Sequence, residues 1–280
     1  MSLVSFHDML LYAKQHHFAV GAFNVLNMET IQAVIAANEK ANTPVIIQVY
    51  HEHLDYAGAD YLSSIGIVAA QKAKIPVCLS LDHGRSYEQA LLCIKNGFTG
   101  VMIDLASSDY QKNVEITRKV VSVAHAKGVS VEAELGRIFD ASSPVEIRNS
   151  AMTDPQTAAQ FVKDTNIDAL AVSIGTAHGF YSSAPRIDFK RLEQILKLVS
   201  CPIVVHGGSN IPDKDLIEIV RLGVSKVNIG TDLMAAFEQG MRETMDGDKY
   251  VDICHMLESG RAKVEETCAQ KIRQLTSFRV

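Results

Sequence analysis

Three of the ten histidines close an apolar run and are followed at once by glycine: His83 in "CLSLDHG", His178 in "AVSIGTAHG" and His206 in "CPIVVHGG". Three imidazoles gathered at one point suit zinc. A catalytic zinc keeps three protein ligands and an open position, whereas a structural site closes with four and usually includes cysteine. A lone strand-end histidine is more often capped or hydrogen-bonded, but three at corresponding positions reverse that balance. The glycines read as room for backbone to approach metal or substrate without a Cβ. Acids accompany the histidines. Asp82 directly precedes His83, and neighbours on a strand point to different sides. Asp82 is therefore expected to face away from the ligand, as an acid/base group in the cavity. Asp104 and the pair Glu132 and Glu134 end two further runs. A buried acid needs a partner, so Asp104 and Glu134 read as hydrogen-bond partners that orient the histidines, or as alternate metal ligands. The competing reading is an interior salt bridge with lysine or arginine.

These residues, far apart in sequence, meet only if the fold brings strand ends together. Eight apolar, β-branched runs occur at 18–25, 44–50, 75–82, 100–105, 128–135, 168–174, 201–207 and 225–230. Helical patterns such as "METIQAVIAANEKAN" and "DKDLIEIVRLG" separate them, several ending in the Gly or Asn of a helix C-cap. Continuous apolar strands alternating with helices imply a covered parallel sheet, and eight such units predict a (β/α)8 TIM barrel of the α/β class. The alternative is a doubly wound open sheet. One domain is expected over residues 1–280, closed by a C-terminal helical extension with a break near "DGDK" at 246–249. In such a barrel the C-terminal strand ends form one rim, which places His83, His178 and His206 at a common mouth.

Composition excludes other classes. At 280 residues, 47% apolar and 21% charged, the chain has enough apolar residues for a barrel-sized core. No apolar run is long enough to cross a bilayer, and the N-terminus has helical spacing rather than that of a signal peptide, so a cytoplasmic protein without a membrane partner is expected. Five widely spaced cysteines without a CxxC pair indicate neither a disulfide framework nor a thiolate zinc site. A formal charge of −5 with no Trp argues against nucleic acid as a partner.

Loops after the seventh and eighth strands of such barrels commonly hold phosphate through backbone N–H groups and a helix N-terminus. Here those loops read "GGSNIPDKDL" and "NIGTDLMAAF". Gly207, Gly208, Ser209 and Thr231 supply the glycines and hydroxyls such a site needs, with Thr231 or Asp232 as helix N-cap. Alone a Gly-Gly-Ser turn is only a turn. Beside a metal site it points to a phosphorylated substrate.

The motifs "LDHG", "VEAELG", "IGTAHG", "VVHGGS" and "VNIGTD", in this order and spacing, resemble the class II, zinc-dependent ketose-bisphosphate aldolases, in particular the tagatose-bisphosphate branch, over nearly the whole chain. The resemblance implies zinc on His83, His178 and His206, proton transfer by Asp82, and optionally a monovalent cation as a further cofactor. It implies substrate contacts from Asn24, Gly179, Gly207, Gly208, Ser209, Asn228, Gly230 and Thr231. The implied reaction is reversible cleavage of a tagatose 1,6-bisphosphate-like ketose to dihydroxyacetone phosphate and an aldehyde, by a homo-oligomer of two or four copies. The alternatives are another C1-phosphorylated ketose, or a non-catalytic assembly subunit, since this branch includes members that depend on an accessory protein. No strand ends in a lysine suited to a Schiff base.

Departures from the family pattern bear on the substrate. Ser80 stands where the family has a histidine two residues before the catalytic aspartate, and Tyr50 where it has a small residue. After "EAELGR" the glycine-rich stretch with its proton-shuttling glutamate is replaced by "IFDASSPVEIRN". Phe139 and Ser142 fall at the expected Gly and Glu, leaving Asp140 and Glu146 as candidate bases. Gly230 matches the tagatose side, where fructose-bisphosphate members carry aspartate. The "HEH" at 51–53 resembles the His-x-His of metal-dependent hydrolases but follows the wrong strand, and solvated loop histidines are expected there.

Overall fold

In a computed structural model, which describes residues 3–181, 185–245 and 250–280, parallel strands close into a barrel in sequence order. They are β1 Val20–Asn24, β2 Val45–Tyr50, β3 Val77–Gly84, β4 Gly100–Ile103, β5 Ser130–Leu135, β6 Ala169–Val172, β7 Ile203–Val205 and β8 Lys226–Ile229. β1 pairs with β8, and that closure excludes the open sheet. Most strands are shorter than the apolar runs that contain them, because burial persists beyond the last ladder hydrogen bond. β3 instead runs on through His83 to Gly84.

Around the barrel lie α1 Phe6–Gln15, α2 Met28–Lys40, α3 His51–Ala57, α4 Ala59–Lys72, α5 Tyr87–Lys95, α6 Tyr110–His125, α7 Val145–Ser150, α8 Pro155–Thr165, α9 Phe189–Leu198, α10 Asp213–Leu222, α11 Thr231–Thr244 and α12 Ile253–Leu275. Side chains of Asn27, Ser86, Asp109 and Asp154 accept backbone N–H groups in the first turns of their helices, which satisfies donors the helix cannot. Contrary to expectation, neither Thr231 nor Asp232 caps α11. Gly230 occupies its N-cap without a side-chain bond, and Ser209 Oγ accepts the Asp232 N–H at 3.1 Å. α12 packs on α11 and α2; the break expected at 246–249 lies outside the described residues. No described helix is long and apolar enough to cross a membrane.

Two packed regions divide the apolar residues. One joins the outer faces of the strands to the helices. In the other, Phe6, Met9, Leu10 and Ala13 of α1 pack against inward strand residues such as Val20, Ala22, Ile46, Cys78 and Val204. Stepping two residues along each strand keeps to the same face. From those apolar positions the steps lead to Asn24 on β1, Gln48 and Tyr50 on β2, Ser80 and Asp82 on β3, and His206 just past β7. Strand register pairs Asn24 with Gln48, Tyr50 with Asp82 and Ala22 with Asn228. The inward face thus turns polar at one end.

Candidate metal centre and catalytic cavity

A bulge sets the first histidine. His83 has φ +49°, and the β3–β4 register shifts between Leu81 and Gly84. That left-handed residue breaks the alternation of the strand, so Asp82 and His83 both line one cavity. Asp82 Oδ1 lies 3.9 Å from His83 Nε2. The expectation that Asp82 faces away from His83 is therefore corrected. Two of the glycines also make room for neighbouring backbone. A Cβ on Gly84 would stand 2.4 Å from the Met102 carbonyl oxygen, and one on Gly207 2.2 Å from that of Ala177. Both let backbone pass close to backbone, while Gly207 also lines the cavity together with Gly179, where an added Cβ would meet nothing within 4 Å.

His206 immediately follows β7, whereas His178 lies in an irregular loop well beyond β6. Two backbone hydrogen bonds hold that loop to the divergent segment: His178 N–H to Phe139 O at 2.9 Å and Ala141 N–H to His178 O at 2.7 Å. One ring nitrogen from each of His83, His178 and His206 lies within 4.8 Å of the others. His83 Nε2 and His206 Nδ1 are 2.9 Å apart.

Carboxylates decide how these rings present their nitrogens. Asp104 Oδ2 is 2.7 Å from His83 Nδ1, and Glu132 Oε1 is 2.8 Å from His206 Nε2. If each ring donates to its carboxylate, both remaining lone pairs point into the same short gap, which requires a cation or a proton between them. Burial works to lower the His83 pKa, but Asp82, Asp104 and Glu134 outweigh it and raise it to about 10. Burial and the neighbouring His83 lower His178 to about 4 and push His206 well down. Once His83 gives up its proton, the three imidazole nitrogens facing this gap, two of them on carboxylate-oriented rings, are the donor set that zinc takes.

The acids divide differently from expectation. Glu132, not Glu134, orients His206, and its second oxygen forms a buried ion pair with Lys226 Nζ at 2.7 Å. Glu134 Oε1 accepts the Ile138 N–H at 3.2 Å. Its buried Oε2 has no hydrogen-bond partner and lies 3.9 Å from His83 Nδ1. Burial and the neighbouring Asp104 raise its pKa well above the carboxylate range. His83, Asp104 and Glu134 form a second close cluster of possible metal ligands.

Asp82 is buried and accepts from two amides, Asn24 Nδ2 at 2.7 Å and Asn228 Nδ2 at 3.0 Å. Each amide is itself oriented. Gln48 Nε2 donates to Asn24 Oδ1 at 3.0 Å, and Lys226 Nζ donates to Asn228 Oδ1 at 2.6 Å. Burial raises the Asp82 pKa, yet His83, His206, Lys226 and the Asn24 amide together hold it below the usual value. The ionised form of Asp82 is thus favoured, with both oxygens held in place. Sequence reading misses Gln48 and Lys226. Their signal is a polar residue at inward parity, Gln48 within the apolar "VIIQVY" and Lys226 two residues before Asn228 in "KVNI".

The cavity encloses about 330 Å³ and is lined by the three histidines, Asp82, Asn24, Asn228, Tyr50, Asp140, Gly179, Gly207, Ser209, Gly230 and Thr231. Gly208 does not line it: its N–H donates to Asn228 O at 2.9 Å, and a Cβ there would meet Val227 and Asn228. Lys271 of α12, unremarked in the sequence, pairs with Asp232 at 2.9 Å behind this loop. Asp140 lines the cavity, whereas Glu146 is exposed on α7 and lines none of the described cavities. His51 and His53 are not solvated loop residues. They lie on α3; His51 is buried, and His53 Nδ1 is 3.3 Å from Val25 O.

Comparison with known proteins adds to this geometry. The family model described as fructose-bisphosphate aldolase class-II matches residues 4–279. A fructose-bisphosphate aldolase of Staphylococcus epidermidis is 38% identical over 278 residues, covering 98% of this chain and 97% of that protein. One from Geobacillus stearothermophilus is 38% identical over 281 residues, 99% and 98% of the two chains. Among solved structures, the YdjI aldolase from Escherichia coli K12 superposes with a TM-score of 0.88 at 34% identity, over 99% of this chain and 98% of its own.

Proposed function

The chain belongs to the class II fructose-bisphosphate aldolase family, and from that membership we propose that it reversibly cleaves a tagatose 1,6-bisphosphate-like ketose to dihydroxyacetone phosphate and an aldehyde. The observation that carries the reading is the ionised Asp82, clamped by Asn24 and Asn228 and 3.9 Å from a nitrogen of the histidine cluster. His83, His178 and His206 would hold zinc, which when bound supplies Lewis-acid polarisation of the ketone.

Asp82 takes the proton of the C4 hydroxyl as the C3–C4 bond breaks, so that C4 and its oxygen leave as the carbonyl of the aldehyde. The bond pair stays on C3 and is shared with the C2 oxygen. Asp82 returns its proton in the condensation direction. C3 then needs a proton from another group, and Asp140, at the cavity wall, is the candidate in reach; Glu146 is not. The C1 phosphate fits the Gly207, Ser209 and Thr231 wall at the start of α11, where N–H groups and the helix dipole favour an anion.

Gly230 matches the tagatose side of the family pattern, and a Cβ there would stand 2.8 Å from Asn24 Oδ1, close enough to disturb the amide that holds Asp82. A cytoplasmic homo-oligomer of two or four copies belongs to the same reading by analogy with the family alone. The test is a panel of ketose phosphates with coupled detection of dihydroxyacetone phosphate. Tagatose 1,6-bisphosphate or another C1-phosphorylated ketose should exceed fructose 1,6-bisphosphate. Zinc-loaded protein that releases no dihydroxyacetone phosphate from any of them would be an assembly subunit instead.

A further inference from the structure

Among the described residues that line the catalytic cavity, none is a lysine or an arginine. At the Gly207, Ser209 and Thr231 wall a phosphate is thus left to backbone N–H groups, the α11 dipole and charges behind the wall. The first turn of α11 already carries an anion, Asp232. A carboxylate at a helix N-terminus takes up the same partial charge that a phosphate would use, and it repels the phosphate as well. Yet Asp232 also builds the wall. Its Oδ2 accepts the Asn210 N–H at 3.2 Å and its own N–H donates to Ser209 Oγ at 3.1 Å, which ties the loop after β7 to α11. Ser209 lines the cavity. With its oxygen accepting that bond, its hydroxyl proton stays available to a ligand.

Lys271, on α12, answers this conflict. Its side chain is 8% exposed, and Nζ reaches Asp232 Oδ2 at 2.9 Å and donates to the Gly208 carbonyl at 3.3 Å. One buried ammonium thus neutralises the carboxylate and holds the glycine turn beside it. Resting on the C1-phosphate reading above, we propose that Lys271 is a positioning residue for the substrate phosphate: it cancels the charge of Asp232, so that Asp232 can tie the two loops without opposing the anion. The C-terminal helix then serves the substrate site although it does not line the cavity. The assignment fixes a sign. Removing the ammonium leaves a bare carboxylate behind the phosphate and weakens its binding, whereas removing the carboxylate leaves a bare ammonium there and does not. A pair that merely anchored α12 would behave otherwise, since loss of either partner leaves the other buried and unpaired.

The experiment follows solvent deuterium exchange into dihydroxyacetone phosphate and into dihydroxyacetone, without aldehyde, by the zinc-loaded full chain. Lys271→Met should raise KM for dihydroxyacetone phosphate about tenfold or more, the scale of one charge-assisted hydrogen bond, with kcat within about threefold of wild type. KM for dihydroxyacetone should not change. Asp232→Asn should leave KM for the phosphate ester at or below the wild-type value, and the double variant K271M/D232N should recover most of the loss seen in K271M. Equal rises in KM in the two single variants, a wild-type KM in K271M, or a rise that D232N does not relieve overturns the proposal. If K271M does not fold, D232N and the double variant carry the test, and a comparable rise in KM in either overturns it. The wild type separates this proposal from the readings beneath it. Exchange that favours the phosphate ester, with KM insensitive to both substitutions, removes the role of Lys271 alone. Exchange of dihydroxyacetone as readily as of its phosphate removes the phosphate wall, and exchange into neither removes the aldolase reading, each taking the role of Lys271 with it.

Discussion

Lys226 and Glu132 form an ion pair inside the barrel, Nζ to Oε2 at 2.7 Å, with both side chains 2% exposed. The other oxygen of Glu132 holds His206, and the same Nζ holds Asn228, whose amide holds Asp82. One ammonium thus reaches His206 through Glu132 on one side and Asp82 through Asn228 on the other. Lys226→Met leaves Glu132 buried without its cation. Unfolding free energy should fall by about 3–5 kcal/mol, the cost of breaking a buried pair from one side. Denaturant unfolding within about 1 kcal/mol of wild type would show that the pair is not maintained in the folded protein.

The three-histidine cluster predicts about one tightly held zinc per chain. His206 is wholly buried and faces His83 across 2.9 Å. His206→Ala should abolish tight zinc binding in elemental analysis after dialysis. Undiminished zinc in this variant would move the metal to the neighbouring His83, Asp104 and Glu134 cluster.

Asp82 lies beside the cluster but is held by two amides. Asp82→Asn should retain zinc and lose roughly a hundredfold or more in kcat, the scale of a positioned acid/base group. The loss should fall on kcat rather than KM. Near-normal turnover would take Asp82 out of the reaction.

Zinc affinity should rise with pH, and the sign follows from His83. With its pKa at about 10 in the metal-free chain, His83 carries a proton at neutrality that ligation must displace. His178, at about 4, is already neutral. One proton is therefore released per zinc, and affinity should increase about tenfold from pH 7 to pH 8 and level off above about pH 10. Chelator competition at several pH values measures the slope; an affinity independent of pH in that range would contradict it.

Much of the fold is legible in the residues taken singly. The apolar runs alternate with helices because a parallel barrel strand is buried on both faces, and runs such as "PVIIQVY" and "CPIVVHG" carry that requirement locally. The meeting of His83, His178 and His206 follows from the same count, since strand ends of a barrel share a rim. The two helices after β2 are less legible, because α3 and α4 follow β2 with only Gly58 between them and the "HEH" that starts α3 reads as a loop. What tertiary structure alone decides is the direction of each side chain. Asp82 shares a cavity with His83 because one residue adopts φ +49°, and a period-two pattern carries no trace of a bulge. Glu132 rather than Glu134 reaches His206, and Lys226 rather than any strand-end lysine enters the site, because partners of buried polar groups are set by register across the barrel. Glu132 and Lys226 are 94 residues apart in sequence. Neither shows its partner until closure of the sheet sets them 2.7 Å apart, where each supplies the counter-charge without which the other could not be buried.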